Sequence, residues 1–455
     1  MLPMKKLNEK YADIVRENFA QNLESGMAQV QYMEKSTAVY HGRPVACLYL
    51  PKLFSQEARD YLKNAASTIC GILDKIIAQY LSDAQYRRLF PFPKELEELI
   101  LTEAGYTTLL PIARLDIFFN EDDFSFKFCE FNADGASAMN ENREIAAAVS
   151  QSHAMREFQQ EYDIASFELF DSWVREFSEI YAGYEKKSGG KTDTPLIVIT
   201  DFMEAATPNE FIEFRKAFEK AGYETEICEI RKLKYENGSL LTPEGKKIDA
   251  VYRRAVTCDI MCHKADVQPF LQAARENATC IVGHFRTQVI HNKAVFAIMR
   301  KPETLSFLTE NEREYVLRHI PETLWLNQGE FDLAHVLSYK DEWIIKPDDL
   351  YGSRGVFAGV DMTAQDWEHA VKNAIGTGYL LQKFCQPYRT QNLNFNGNPH
   401  PDFETFNNIT GMFVYNGKLA GLYSRAGQCG VISSDMQGLT LASLVANHQS
   451  SPSTQ

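Results

Sequence analysis

The chain has 455 residues, 45% of them hydrophobic and 24% charged, the composition of a soluble globular protein with material for one large or two to three ordinary domains. A formal net charge of −14, with no basic block along the chain, argues against a nucleic-acid partner and favours cationic small molecules. No apolar run approaches the roughly 20 residues of a membrane span, and Met1 to Lys10 lack the apolar core of a signal peptide, so a cytoplasmic location without membrane contact is expected.

In chain order, residues 4–35 and 55–83 read as helices, the second with Leu62, Ala66, Ile69, Ile72 and Ile76 near helical spacing. Between them, 44–50 read as a short buried strand closed by Pro51. A helix at about 94–104 follows the Phe90-Pro-Phe-Pro93 break. Residues 114–134 then predict a hairpin around the turn-rich Asn120-Glu121-Asp122-Asp123. On its second strand Phe124, Phe126 and Phe128 alternate, and Glu130 and Asn132 are expected to continue the same face. That face suits a hard, oxygen-liganded cation such as magnesium under a nucleotide. Asp116 joins it only if an odd number of residues lies in the hairpin loop. The plain alternative is an amphipathic edge hairpin whose acids are solvated.

Gly135-Ala-Ser-Ala138 leads through an acidic segment into a long helical stretch to about 184, and the polar, glycine-rich 186–195 marks a boundary. Beyond it, strands at 196–200, 224–230 and 248–254 around one helix at 207–221, with a turn at Asn237-Gly238, imply a parallel Rossmann-like unit. It lacks the Gly-x-Gly-x-x-Gly turn of a dinucleotide site. Arg253 and Arg254 end its last strand, where either ligand contacts or a surface pair are expected. Cys258-x-x-x-Cys262-His263 reads as packing rather than metal, and the nine cysteines as reduced thiols.

The last third is α+β in texture. Helices are expected at 266–277, 292–301, 303–319 and 365–375, and strands at 343–347, 355–360 and 379–384, with a hairpin at 409–425 turning on Asn416-Gly417. The tail from Asn447 reads as disordered. Lys346 closes an apolar strand before a loop containing Gly352, Ser353 and Gly355; a lysine so fixed can pair with phosphate oxygens and the loop's N–H groups can cover them, the plain alternative being an ordinary β-turn. No helix follows those glycines, so this is not a Walker A loop. Leu380-Leu-Gln382-Lys383-Phe384 is an apolar strand running into polar groups, and Lys293 opens a helix about fifty residues before Lys346.

Arg114-x-Asp116, a short hairpin, and Glu130-Phe-Asn132-Ala-Asp-Gly-Ala-Ser137, upstream of the two lysines, resemble the glutathionylspermidine synthetase family. The resemblance implies a circularly permuted ATP-grasp fold, α+β with an α/β part, carrying an inserted Rossmann-like (pre-ATP-grasp) subdomain. It implies Mg²⁺ on Asp116, Glu130 and Asn132, ATP phosphates on Lys293 and Lys346, and adenine beside Gln382, Lys383 and Phe384. Gly352, Ser353 and Gly355 become the lid, and Arg114 and Arg425 face the phosphates and a reacting carboxylate. The expected units are 1–185 with the metal-binding half, 186–265 the Rossmann-like unit, 266–446 the nucleotide-binding half, and 447–455 a tail. No counterpart of the amidase domain of some members precedes the hairpin, so amidase activity is not expected. After Arg425 the chain reads Ala-Gly-Gln-Cys-Gly in place of acidic residues. The expected reaction joins a small-molecule carboxylate to an amine through an acyl phosphate. The competing readings are a non-catalytic nucleotide sensor or scaffold and an ATP-dependent phosphotransferase.

Overall fold

A computed structural model describes residues 3–190, 192–350, 352–432 and 438–449. Its organising layer is an antiparallel sheet in which Ile112–Phe119 lies between Phe126–Asn132 and Glu404–Tyr415. Lys418–Gly427 and Leu439–Leu441 follow on the far side, and Tyr388–Asn392 pairs with the start of Glu404–Tyr415. The long helix Gln56–Ser82 covers one face; Ser55 caps it by accepting from the Ala58 N–H, and Leu62, Ile69, Ile72 and Ile76 are fully buried. Opposite them on the sheet stand Ala113, Leu115, Ile117, Phe128, Met412 and Leu422, so apolar side chains alternating along each strand make the largest core.

A second sheet, Trp343–Pro347 with Phe357–Ala358 on one side and Tyr379–Lys383 then Thr323–Trp325 on the other, is antiparallel and stands across a cleft from the first. The third sheet is all parallel, in the order Cys280–Val282, Ala250–Arg253, Leu196–Asp201, Glu224–Glu229. Helix Pro208–Lys220 gives it the expected βαβ unit. Its fourth strand, 280–282, comes from beyond residue 265, too short a run to stand out from the apolar residues near it. Asn237 and Gly238 both adopt positive φ in their tight turn, as do Asn416 and Gly417.

Several expected elements differ. Helix 4–35 is two helices, Met4–Glu17 and Phe19–Lys35, broken at Asn18. Residues 45–50 form no strand: Leu48 and Tyr49 donate backbone N–H groups to the Thr440 and Leu393 carbonyls, and Leu50 to the Asn392 side chain, so irregular backbone is satisfied by separate segments. The strand comes after Pro51, at Lys52–Ser55, parallel to Ser443–His448. The helical stretch to 184 is interrupted by strand Tyr162–Ala165, which pairs with Ser443–His448 from the other side; Asn447 and His448 are therefore sheet residues, and 450–455 of the expected disordered tail lie outside the described residues. Helix 303–319 is two pieces, Pro302–Leu305 and Glu310–His319, because Thr309 and Glu312 build a capping box that restarts it. Among the described residues no helix is long and apolar enough to cross a membrane.

Candidate functional site

The site begins with a defect in the hairpin. At the turn end Phe119 pairs with Phe126 across Asn120–Ser125, and that register would set Asp116 opposite Cys129. A β-bulge at Cys129 takes up one residue, so Asp116 faces Glu130 and Arg114 faces Asn132. The loop holds an even number of residues, and the acids still meet. The bulge also reverses the faces. Phe126 and Phe128, then Phe131, point into the core, whereas Glu130 and Asn132 point away from the phenylalanines, contrary to the period of two read through them.

On that outer face Asp116 is nearly fully buried and collects four donor groups from three residues. Arg114 Nε and Nη2 lie 2.8 and 3.1 Å from its two oxygens, Arg425 Nη2 at 3.1 Å and Asn132 Nδ2 at 3.3 Å. Gly411 pairs with Asp116 on the next strand, and a Cβ there would stand 2.8 Å from both Arg114 Cδ and Asp116 Oδ1; the residue must be glycine for the cluster to close. Burial opposes the charge of Arg114, and Asp116 outweighs it, raising the arginine's pKa.

Glu130 receives Lys293 Nζ at 2.8 Å. Burial pushes its carboxyl up, but Lys293, then Lys346 and His291, hold it at about 2. Lys293 also donates to the Leu350 carbonyl, and its backbone N–H to Asp348 O at 2.8 Å, fixing it at the foot of the glycine loop. Lys346 Nζ reaches Gln382 Oε1 at 2.9 Å and the bulged Cys129 carbonyl at 3.3 Å, so the bulge also supplies an acceptor.

Behind Lys346 the cleft turns apolar, lined by Ile344, Val356, Phe384, Val431 and Ile432. Gly352 and Ser353 line it, with Ser353 at φ 57°. Gly355 is not in the lining; a Cβ there would meet the Tyr379 hydroxyl at 2.7 Å. Gln382 is committed on both ends, since its Nε2 donates to Thr323 at 2.9 Å. Lys383 lines the cleft, but its ammonium pairs with Glu342 at 2.6 Å and lies over the Trp343 ring. All thirteen residues singled out in the sequence except Gly355 thus line one cleft.

The sequence reading missed the other end. Glu141 accepts from the Tyr423 hydroxyl at 2.6 Å, and the Tyr423 ring lies against the guanidinium groups of Arg114 and Arg425. Burial raises the Glu141 carboxyl. An isolated glutamate in a helix carries no signal of this, because Tyr423 arrives from a strand 282 residues away. Arg253 and Arg254 are neither ligand contacts nor a surface pair. Arg253 is buried against Asp134 at 2.6 Å, and Arg254 against Glu210 at 2.8 Å. The first pair docks the parallel sheet onto the loop 134–138, where Gly135, at φ 63°, passes so close that a Cβ would stand 2.6 Å from Arg254 O, and the second ties the sheet to its own helix Pro208–Lys220.

For a divalent cation the donor chemistry fits: two carboxylates and a carboxamide converge on one face, all oxygen ligands of the kind Mg²⁺ takes. Among the described residues no group of three or more His, Cys, Asp or Glu assembles as a metal centre, and the two acids are neutralised by arginines and Lys293. Cys258 and Cys262–His263 are half-buried to exposed, at a helix end rather than in the core.

No family model and no curated protein matches the chain. Among solved structures, the chain is similar to a glutathione synthetase-like effector from Globodera pallida in apo form, at 11% identity and TM-score 0.61, over 92% of this chain and 96% of that one. A provisionally assigned gamma-glutamylcysteine synthetase from Methylobacillus flagellatus aligns over 87% and 89%, at 9% identity and TM-score 0.34, too low to carry an argument. At such identity the first likeness establishes fold alone: mixed α and β with several sheets, that of a glutathione synthetase-like protein and consistent with the ATP-grasp type.

Proposed function

We propose that the protein is an ATP-dependent carboxylate–amine ligase on a circularly permuted ATP-grasp fold, related to glutathionylspermidine synthetases, with Arg114, Asp116, Glu130, Asn132, Lys293, Lys346 and Arg425 as its reacting core. One observation carries the reading. Arg114 and Arg425 on Asp116, Lys293 on Glu130, and Lys346 beside them lie next to an apolar slot, and these six groups carry a formal charge of +2. MgATP carries about −2 and a flat aromatic base whose faces suit apolar walls, so charge and shape match it together. In this reading residues 266–446 form most of the nucleotide half, 1–185 bring the acids, and 186–265 are the inserted Rossmann-like unit.

Asp116, Glu130 and Asn132 would hold Mg²⁺, which neutralises phosphate charge when bound. Their present partners then change roles. Lys293, released from Glu130, turns with Lys346 to the phosphates, and Arg425 turns from Asp116 toward the substrate carboxylate. Arg114 keeps the charge at the reacting centre compensated. The carboxylate oxygen attacks the γ-phosphorus, ADP leaves, and an amine displaces phosphate from the acyl phosphate to give an amide. Gly352 and Ser353 close over this region and exclude water. Glu141, beyond the arginines, suits an ammonium group, which favours an amine or polyamine and an amino-acid or peptide acid as substrates.

The test is ADP release by the purified protein with MgATP, across amino acids and peptides crossed with polyamines and simple amines. ADP formation that needs both a carboxylate and an amine, with amide in the product, is expected. A stable phosphorylated product without amide would replace ligase by phosphotransferase chemistry.

A further inference from the structure

Among the described residues, the polar ties between the lysine-bearing sheet with its flanking segments and the carboxylate sheet include three at the cleft. Lys293–Glu130 and Lys346–Cys129 O depend on cations. The third is built differently. Asp361, at the end of the turn Gly359–Asp361 that follows the lid-side strand Phe357–Ala358, accepts from Gly430 N–H at 2.8 and 3.0 Å and from Val431 N–H at 3.2 Å. Gly430 is buried, and a Cβ on it would fall 2.7 Å from Val360 Cγ2 and 3.1 Å from Phe384 Cζ, so the two segments lie in direct contact. The Val431 side chain then packs with Ile344, Ala358, Val356 and Phe384, the apolar end of the cleft.

We infer that Asp361 is a positioning residue that latches the Gly430–Ile432 segment as the roof of the base slot, setting affinity for the nucleotide base and not for its phosphates. The inference rests on the nucleotide reading above. When a polyanion enters, Lys293 and Lys346 exchange protein acceptors for phosphate oxygens, so both cationic ties are lost as binding proceeds. A carboxylate holding backbone N–H groups has nothing to gain from phosphate and stays. Asp361 is therefore the tie that persists while the lysines change partners, and without it two N–H groups at a buried segment are left without their acceptor.

The experiment compares binding of MgATP and of magnesium tripolyphosphate, which lacks the base, by calorimetry on the full chain, with thermal melts to verify folding. In Asp361→Ala the affinity for MgATP falls about tenfold, the equivalent of about 1.4 kcal/mol, while tripolyphosphate binding changes less than about twofold. Asp361→Asn, which keeps one acceptor oxygen, loses less and decides the matter if the alanine variant does not fold. Equal losses for both ligands, or no loss for MgATP, overturn the latch while leaving the nucleotide reading intact. Failure of the unaltered protein to bind MgATP at all overturns both.

Discussion

Two buried arginine–carboxylate clusters lie on either side of the loop 132–138, and they differ in whether their arginines border the cleft. Arg254–Glu210 is sealed, with both side chains 3% exposed, and Arg253–Asp134 is buried as deeply although Asp134 borders the cleft; Glu210 also accepts from Asn140 N–H at 3.1 Å and so joins the parallel sheet to the helix opening at the cleft. Arg114 and Arg425 on Asp116 use the same chemistry but border open space, Arg425 at 14% exposure. In a sealed cluster a charge that loses its partner has nowhere to go, so the pairs act as structural joints. In the open cluster an incoming anion can replace the protein's own acceptor, so the pairs act as exchangeable counterions. Geometry at the pair itself does not separate the two roles; the surroundings do.

Mutation sharpens that contrast. The largest expected effect is on stability, at the sealed joint: Arg254→Ala strands the buried Glu210 and lowers the unfolding free energy by about 3–5 kcal/mol, read by chemical denaturation. Next is Lys346→Ala in the open cleft, expected to cut ADP formation about 10²–10³-fold while the protein still melts as a folded domain. If Lys346→Ala instead unfolds the protein with no separate loss of turnover, the exchangeable role is wrong. Gly411→Ala forces a methyl group against Arg114 and Asp116 and costs about 1–3 kcal/mol in stability, with loss of nucleotide binding.

The last contrast is a pH dependence. Glu130 is held at about 2, below its usual 4.5, so it adds stability that is fully present above about pH 4.5 and is lost as pH falls toward 2. Glu130→Gln removes this contribution. The stability gap between the two proteins should be constant from neutral pH to about 5 and narrow below it, measured by urea unfolding at each pH. A gap that widened on acidification would contradict the ion pair with Lys293.

Local pattern determined much of this protein. Helical spacing marked Gln56–Ser82, β-prone runs marked Trp343–Pro347 and Tyr379–Lys383, and Asn-Gly pairs marked two turns, because each depends on neighbours within one or two turns of chain. The resemblance carried by Arg114-x-Asp116 and Glu130-Phe-Asn132 brought out Asp116, Glu130, Lys293 and Lys346 as groups to be explained together. Tertiary structure decided the rest. Whether Glu130 faced the cleft or the core turned on a bulge at Cys129, an extra residue absorbed by pairing across strands and carrying no composition of its own. Strand Ser443–His448 exists because two partners from residues 52–55 and 162–165 accept it, which outweighs its polar end. Glu141 gains a role only when Tyr423 reaches it, and Arg253 and Arg254 became joints only when Asp134 and Glu210 closed over them. In each case the deciding interaction spans a sequence separation over which local periodicity carries no information.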